Sequence, residues 1–461
     1  MTAKPSRFFW TILLALLTAC GGVTPLATET STATVPPATK TLPLPTFFPI
    51  RPTETPFQTP IPTITPWPTV TPVTFTPTPP SSFPLDGYIL LFRKDGNLYF
   101  QDGNHSPARL TSGGEEPHFP RVSDDNRKIV FARKNGSVFT NQVESPYEEY
   151  PNIYSVNTDG SKEQGLVTEQ WLDTLGKGTK AYLPTFVPGT HKLLFNTRLC
   201  GSEEYISPCS VGLYLVDTDT GEILEFIHPD ETRQYDRNGN FKISPDGKMV
   251  SVFAPGHMDI YDMSGKVIRG NILPYTPSTP EIFPIQYWLP DSSGLILTMP
   301  NVIKYALATS VSFTVWRYTL VNNISVQLPF DPPPKSGGEG CFNIVRVSPN
   351  GKWIFYDNYY DSYIRDLDNG STRLFGVGTC FMELSPWSPD SKYIAYDDRR
   401  LAAIDGPYVP IDGIFLRWID ANHFLYLKVK GATISTTLLA EIIDGKTFTY
   451  NFDPFTFIKP K

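Results

Sequence analysis

A short pattern returns along this chain: an apolar or aromatic residue, a tight polar turn, then a β-rich run. It stands as ISPDGKMVSVF from residue 243, VSPNGKWIFY from 347 and WSPDSKYIAY from 387. Looser copies are VSDDNRKIVF from 122, FVPGTHKLLF from 186, WLPDSSGLILT from 288 and WIDANHFLYL from 418. The turn has a mechanism: proline presets φ, aspartate or asparagine bonds back to the local backbone, and glycine accepts a left-handed φ. Such a segment is a hairpin. After most copies come a further strand and a second polar turn, as in NIYSVNTDGSKEQGLV from 152, GLYLVDTDTGEILEFI from 212, MDIYDMSGKVI from 258 and SYIRDLDNGSTRLF from 362.

Four strands per repeat joined by polar turns is the layout of a β-propeller blade, which makes the fold class all-β. An opening unit, YILLFRKDGNLYFQDGNHSPARLT at 88–111, supplies three strands without a first. With the turn-bearing copies this makes eight blades, or seven if one degenerate unit merges with a neighbour. A C-terminal strand over Phe455 to Ile458 is expected to complete the opening blade and close the ring, removing the edges an open array would expose. At Ser244-Pro245-Asp246-Gly247, Ser348-Pro349-Asn350-Gly351 and Ser388-Pro389-Asp390-Ser391 the motif resembles that of the TolB-like, WD-repeat-related propellers of bacterial envelopes. The resemblance implies blade geometry and an envelope setting. It does not identify a ligand.

Connection lengths are unequal. In a four-stranded antiparallel blade, the first-to-second and third-to-fourth turns share one face of the disc, and the remaining connections share the other. The first set is short throughout (SPDG, TDTG, MSG, LDNG), whereas the second carries insertions such as 134–151, 168–181, 197–211 and 301–312. Long loops on a rigid scaffold are where recognition concentrates. Candidate ligand-binding residues on that face are Tyr147, Tyr150, Trp171, Tyr205, Tyr359, Tyr360 and Asp361, because aromatics beside polar groups suit sugar stacking or protein contacts. The competing reading makes these aromatics caps on the core beneath the loops.

Residues 1–84 have a different character. Lys4 and Arg7 precede an apolar run from Phe8 to Ala19, too short to span a bilayer but suited to a secretory signal over residues 1–19. Leu17-Thr18-Ala19-Cys20 resembles the bacterial lipobox, which implies lipidation of Cys20 and attachment to a membrane. Of the 62 residues from Val23 to Pro84, 17 are proline and 18 threonine. Such a segment has too little apolar surface to offset the entropy of ordering. Residues 20–84 therefore read as a disordered stalk, and residues 85–461 as the propeller domain. An extracytoplasmic, envelope-anchored monomer is expected.

Cysteine usage fits an oxidising compartment. Cys200 and Cys209 could staple one insertion; Cys341 and Cys380 stand at the start of successive repeats, where a blade-to-blade disulfide could form. A formal charge of −7 argues against a nucleic-acid partner. No metal-ligand spacing, Gly-x-Ser-x-Gly, P-loop or dinucleotide fingerprint stands in the sequence, so no catalytic residue, metal or cofactor is expected. Two functions remain: a non-catalytic module binding protein or polysaccharide, or an enzyme acting on a glycan or peptide through carboxylates such as Asp357, Asp361, Asp397 and Asp398 meeting near the channel.

Overall fold

The structure, a computed structural model, describes residues 85–112, 117–133, 152–200, 209–227, 241–254, 256–274, 285–301, 312–331, 334, 345–358, 361–377, 387–397, 400–406, 408–411, 413–430, 433–441, 447–452 and 457–460. The chain separates into Met1–Thr63 and Ile64–Lys461, and every described residue belongs to the second unit. Cys20 and the signal and stalk readings lie outside the described residues.

These residues form eight antiparallel sheets. Seven have four strands; the sheet of blade 7 has three, with its innermost position held by the bridge Trp387↔Ile394. The count of eight is therefore met. Ile324–Leu328 and Ala108–Arg109, the fourth strands of their blades, are largely exposed, so the first strand at the opposite edge of the sheet lies toward the axis of the ring.

The recurring turn is built the same way in four blades. Ser123, Ser244, Ser348 and Ser388 each donate their hydroxyl to the side chain two residues on, at 2.6 Å to Asp125 Oδ1, 2.6 Å to Asp246 Oδ1, 2.7 Å to Asn350 Oδ1 and 2.7 Å to Asp390 Oδ1. Each hydroxyl oxygen then accepts from the backbone N–H five residues on, at 3.0, 2.9, 2.9 and 3.0 Å respectively. The serine hydroxyl thus both donates and accepts within the turn. Its fourth residue adopts a left-handed φ: Asn126 at 60°, Gly247 at 69°, Gly351 at 69° and Ser391 at 64°.

Neighbouring turns interlock. The backbone N–H of Asp246 donates to Ser292 Oγ of the next blade, and that of Asn350 to Ser391 Oγ. A Cβ on Gly247 would stand 2.5 Å from the carbonyl oxygen of Pro188 in the preceding blade, so that position requires glycine for space as well as φ.

Eight apolar clusters join the eight sheets pairwise around the ring. Leu91 and Leu98 of blade 1 pack with Ile129 of blade 2, and Val130 of blade 2 with Phe195 of blade 3. The series continues through every junction. It ends where Ile419 and Leu425 of blade 8 meet Leu90 and Ile458 of blade 1. Because no cluster lacks a successor, the ring is closed. The closing strand is Phe457–Pro460, paired antiparallel with Tyr88–Lys94. It is shifted two residues toward the C-terminus from the expected Phe455 to Ile458, and it supplies the missing first strand of the opening unit.

Candidate functional site

The two faces of the ring differ in the way the repeat lengths imply. On one face lie the serine-based turns just described. On the other, the central hairpins of three blades close at Arg133↔Asn152, Cys200↔Cys209 and Asn301↔Ser312, where the long connections begin. Cys200 and Cys209 are direct cross-strand neighbours in the backbone register. Cys341 and Cys380 lie outside the described residues.

Of the proposed recognition residues, Tyr147, Tyr150, Tyr205, Tyr359 and Tyr360 also lie outside the described residues. Trp171 sits on the helix Glu169–Leu175, in the connection from blade 2 to blade 3. Thr168 caps that helix, its Oγ accepting from the Trp171 N–H at 3.2 Å. The indole stands edge-on to Tyr214 at 5.3 Å and to Phe195 at 6.0 Å, covering the cluster between the two blades. Trp171 thus caps the core, as the competing reading had it. Asp361 is exposed at the start of the strand Asp361–Asp366.

Of the carboxylates considered near the channel, Asp357 and Asp361 have described side chains. Asp357 is buried at the end of Trp353–Asn358 and accepts a 2.5 Å hydrogen bond from Ser362 Oγ. Burial pushes its pKa up to about 6, against the opposing hydrogen bond from Ser362 and the charge of Arg346. Asp361 stays exposed, Asp397 pairs in register with Arg400, and Asp398 lies outside the described residues. Among the described residues, no group of three or more histidine, cysteine, aspartate or glutamate side chains is placed to hold a metal ion.

The innermost strands also carry polar side chains that no sequence motif marks. Arg346, on the innermost strand Val345–Val347, is buried; its Nη1 donates to Val345 O at 3.2 Å. Arg121 of blade 2 makes the equivalent bond to Pro120 O. Tyr287, on Ile285–Trp288 of blade 5, donates its hydroxyl to Val345 O at 2.6 Å and accepts from Arg346. Lys242, on Phe241–Ile243 of blade 4, is exposed, and desolvation by the surrounding protein lowers its ammonium pKa. Trp288 Nε1 donates to Lys242 O at 2.9 Å and Trp387 Nε1 to Arg346 O at 3.3 Å, so the inner strands are also fastened to one another.

On the face of the serine-based turns, His191 stands between two carboxylates, with Nδ1 2.7 Å from Asp219 Oδ2 and Nε2 3.0 Å from Asp125 Oδ2. Lys128, almost wholly buried, reaches from blade 2 to Asp219 Oδ1 at 2.9 Å. Burial alone would lower the pKa of His191, but the two carboxylates outweigh it and raise the pKa. All four groups bridge blades 2 and 3.

No protein-family model matches the sequence, and no curated protein sequence matches it. Solved structures resemble it at low identity. TolB from Acinetobacter baumannii is 15% identical, the match covering 81% of this chain and 82% of that one with a TM-score of 0.34. The β-propeller domain of the Trilobed protease from Pyrococcus furiosus is 13% identical, with 73% and 96% covered and a TM-score of 0.40. The periplasmic gluconolactonase of Pseudomonas aeruginosa is 14% identical, with 78% and 94% covered and a TM-score of 0.35. Similarity at this level supports no transfer of activity. The eight sheets, the eight junctions and the closing strand by themselves define a β-propeller of eight blades.

Proposed function

We propose that this chain is a cell-envelope lipoprotein, tethered through Cys20 and the proline- and threonine-rich segment, whose propeller is a non-catalytic recognition module for protein or polysaccharide. The observation that carries the reading is the asymmetry of the faces: the hairpins closing at Arg133↔Asn152, Cys200↔Cys209 and Asn301↔Ser312 send their long connections to one side of a locked ring. A rigid scaffold with variable loops on one face is suited to binding. The test is capture of envelope extract, split into protein and polysaccharide fractions, by the purified chain, with each retained fraction checked for chemical change. Retention without change supports the module. Shortening residues 134–151 should then weaken retention, whereas substitutions in the opposite turns should not.

A second reading, an enzyme acting on a glycan or peptide, draws on Asp357, whose pKa of about 6 beside Arg346 suits a proton donor near neutral pH. Turnover of a retained fraction that Asp357→Asn abolishes would favour it.

A further inference from the structure

The central hairpin of blade 3 outruns its own sheet. Its arms, Lys192–Cys200 and Cys209–Asp217, pair residue by residue from Lys192↔Asp217 to Cys200↔Cys209. The flanking strands stop short of that end: Lys180–Phe186 pairs as far as Arg198, and Ile223–Ile227 as far as Leu213. Among the described residues, Leu199, Cys200, Cys209 and Ser210 therefore pair only with one another, as a two-stranded ribbon past the edge of the sheet. A ribbon without a third strand is marginal in water.

The corresponding ends of the other long hairpins have fastenings. In blade 2, Arg133 Nη2 meets Glu163 Oε1 at 2.7 Å, and Asn152 Oδ1 accepts from the Glu169 N–H at 3.0 Å. In blade 5, the Phe313 N–H donates to Pro334 O at 3.0 Å. Blade 3 instead has a cysteine on each arm at the last pair of the ribbon.

Register decides whether those cysteines can be joined. Directly opposed residues of an antiparallel pair share a face of the sheet, with Cα atoms about 4.5 or 5.5 Å apart according to their hydrogen bonding. A disulfide asks for a Cα separation of about 4.4–6.8 Å, so either kind of pair qualifies. A slip of one residue would put the cysteines on opposite faces. The remaining candidates, Cys341 and Cys380, precede strands of blades 6 and 7, whereas blade 3 packs against blades 2 and 4.

We propose that Cys200 and Cys209 form a disulfide that clasps the loop-face end of blade 3. One cysteine thiolate attacks a disulfide donor, expelling a thiolate and leaving a mixed disulfide; the other then displaces the second half of the donor. The cysteine pair is oxidised and the donor is reduced to a pair of thiols. The donor is a small-molecule or protein disulfide of an extracytoplasmic compartment. The bond shuts the loop 200–209, restricting the unfolded chain and fixing the register from which the connection 201–208 departs. It forms with or without a ligand on the loop face, so its failure would leave the recognition reading standing.

The test equilibrates the full chain with oxidised glutathione as the donor, blocks free thiols by alkylation, and maps an unreduced digest by mass spectrometry. A peptide pair joined through Cys200 and Cys209, separating on reduction, is the expected result. Alkylation of both cysteines, or joining of either to Cys341 or Cys380 instead, would overturn the proposal. Cys209→Ser should leave Cys200 open to alkylation under the same conditions. Reduction should lower the melting temperature of the parent more than that of the Cys200→Ser, Cys209→Ser double variant, which has no clasp to lose. Equal shifts in the two proteins would show that the bond does not hold the ribbon.

Discussion

Tyr88 Oη donates a 2.5 Å hydrogen bond to Asp420 Oδ2 across the seam where the first and last blades meet, joining residues 332 positions apart in the chain. The same carboxylate is 2.9 Å from His423 Nδ1 and accepts from the N–H groups of Asn422 and His423 at 2.7 and 2.9 Å. The seam thus has a polar lock beside its apolar cluster of Leu90, Leu425 and Ile458.

Burial works against ionising Asp420, but the hydrogen bonds from His423 and Tyr88 and from the Asn422 N–H outweigh it and bring the pKa down to about 2. A depressed carboxylate contributes stability that is present above its unfolded value of about 3.9 and is lost as pH falls toward 2. Tyr88→Phe should therefore cost about 1–2 kcal/mol at neutral pH, and less as the solution approaches pH 2. Urea unfolding of both proteins across that range checks it; a deficit independent of pH would show that the hydroxyl acts by packing alone.

Asp357 has the opposite sign. Its folded pKa of about 6 lies above the unfolded value, so the folded state holds the proton more tightly, and stability from this group falls as pH rises from about 4 to about 6. Above that window the cost is about 2–3 kcal/mol, at 1.36 kcal/mol per unit. Asp357→Asn should raise stability at pH 8 by about 1–2 kcal/mol, the remainder being offset by the lost attraction to Arg346, and should give no gain near pH 4. Denaturant midpoints at the two pH values decide the matter.

His191 clamps blades 2 and 3 when protonated. Its raised pKa means that its contribution is fully present below about pH 6.5 and is lost as pH rises through the folded value. Because its partners are half exposed, the effect should stay below about 1 kcal/mol. The melting-temperature gap between the parent and His191→Gln should be wider at about pH 5.5 than at about pH 8.5.

Two glycines of similar φ separate strain from space. Gly247 at 69° faces the Pro188 carbonyl, whereas Gly189 at 70° has open space where a Cβ would stand. Gly189→Ala should cost about 1 kcal/mol from backbone conformation, and Gly247→Ala at least about twice that, because the neighbouring blade must also move. Equal losses would mean that the junction yields freely.

Much of the fold was legible before any coordinates, and for local reasons. The serine turn satisfies its own hydrogen bonds within six residues, so Ser244 to Met249 or Ser388 to Tyr393 specifies a hairpin wherever it stands. The missing strand of the opening unit implied a C-terminal partner, because an unpaired inner edge is unfavourable. A basic residue also recurs at one offset from the turn, in Arg-Val-Ser at 121–123, Lys-Ile-Ser at 242–244 and Arg-Val-Ser at 346–348. That recurrence acquires meaning only once those strands are known to be innermost.

The sequence by itself determined the repeat, the turn chemistry, the all-β class and the unequal lengths of the two sets of connections, since each depends on residues close together in the chain. Tertiary structure alone decided that Trp171 faces the Phe195 and Tyr214 rings, that Asp357 is buried beside Arg346, and that Arg121, Lys242, Arg346 and Arg417 hold one register in their blades. Those relationships arise from the pairing of strands and the packing of neighbouring sheets, which bring together residues from separate repeats so that their charges and surfaces act on each other.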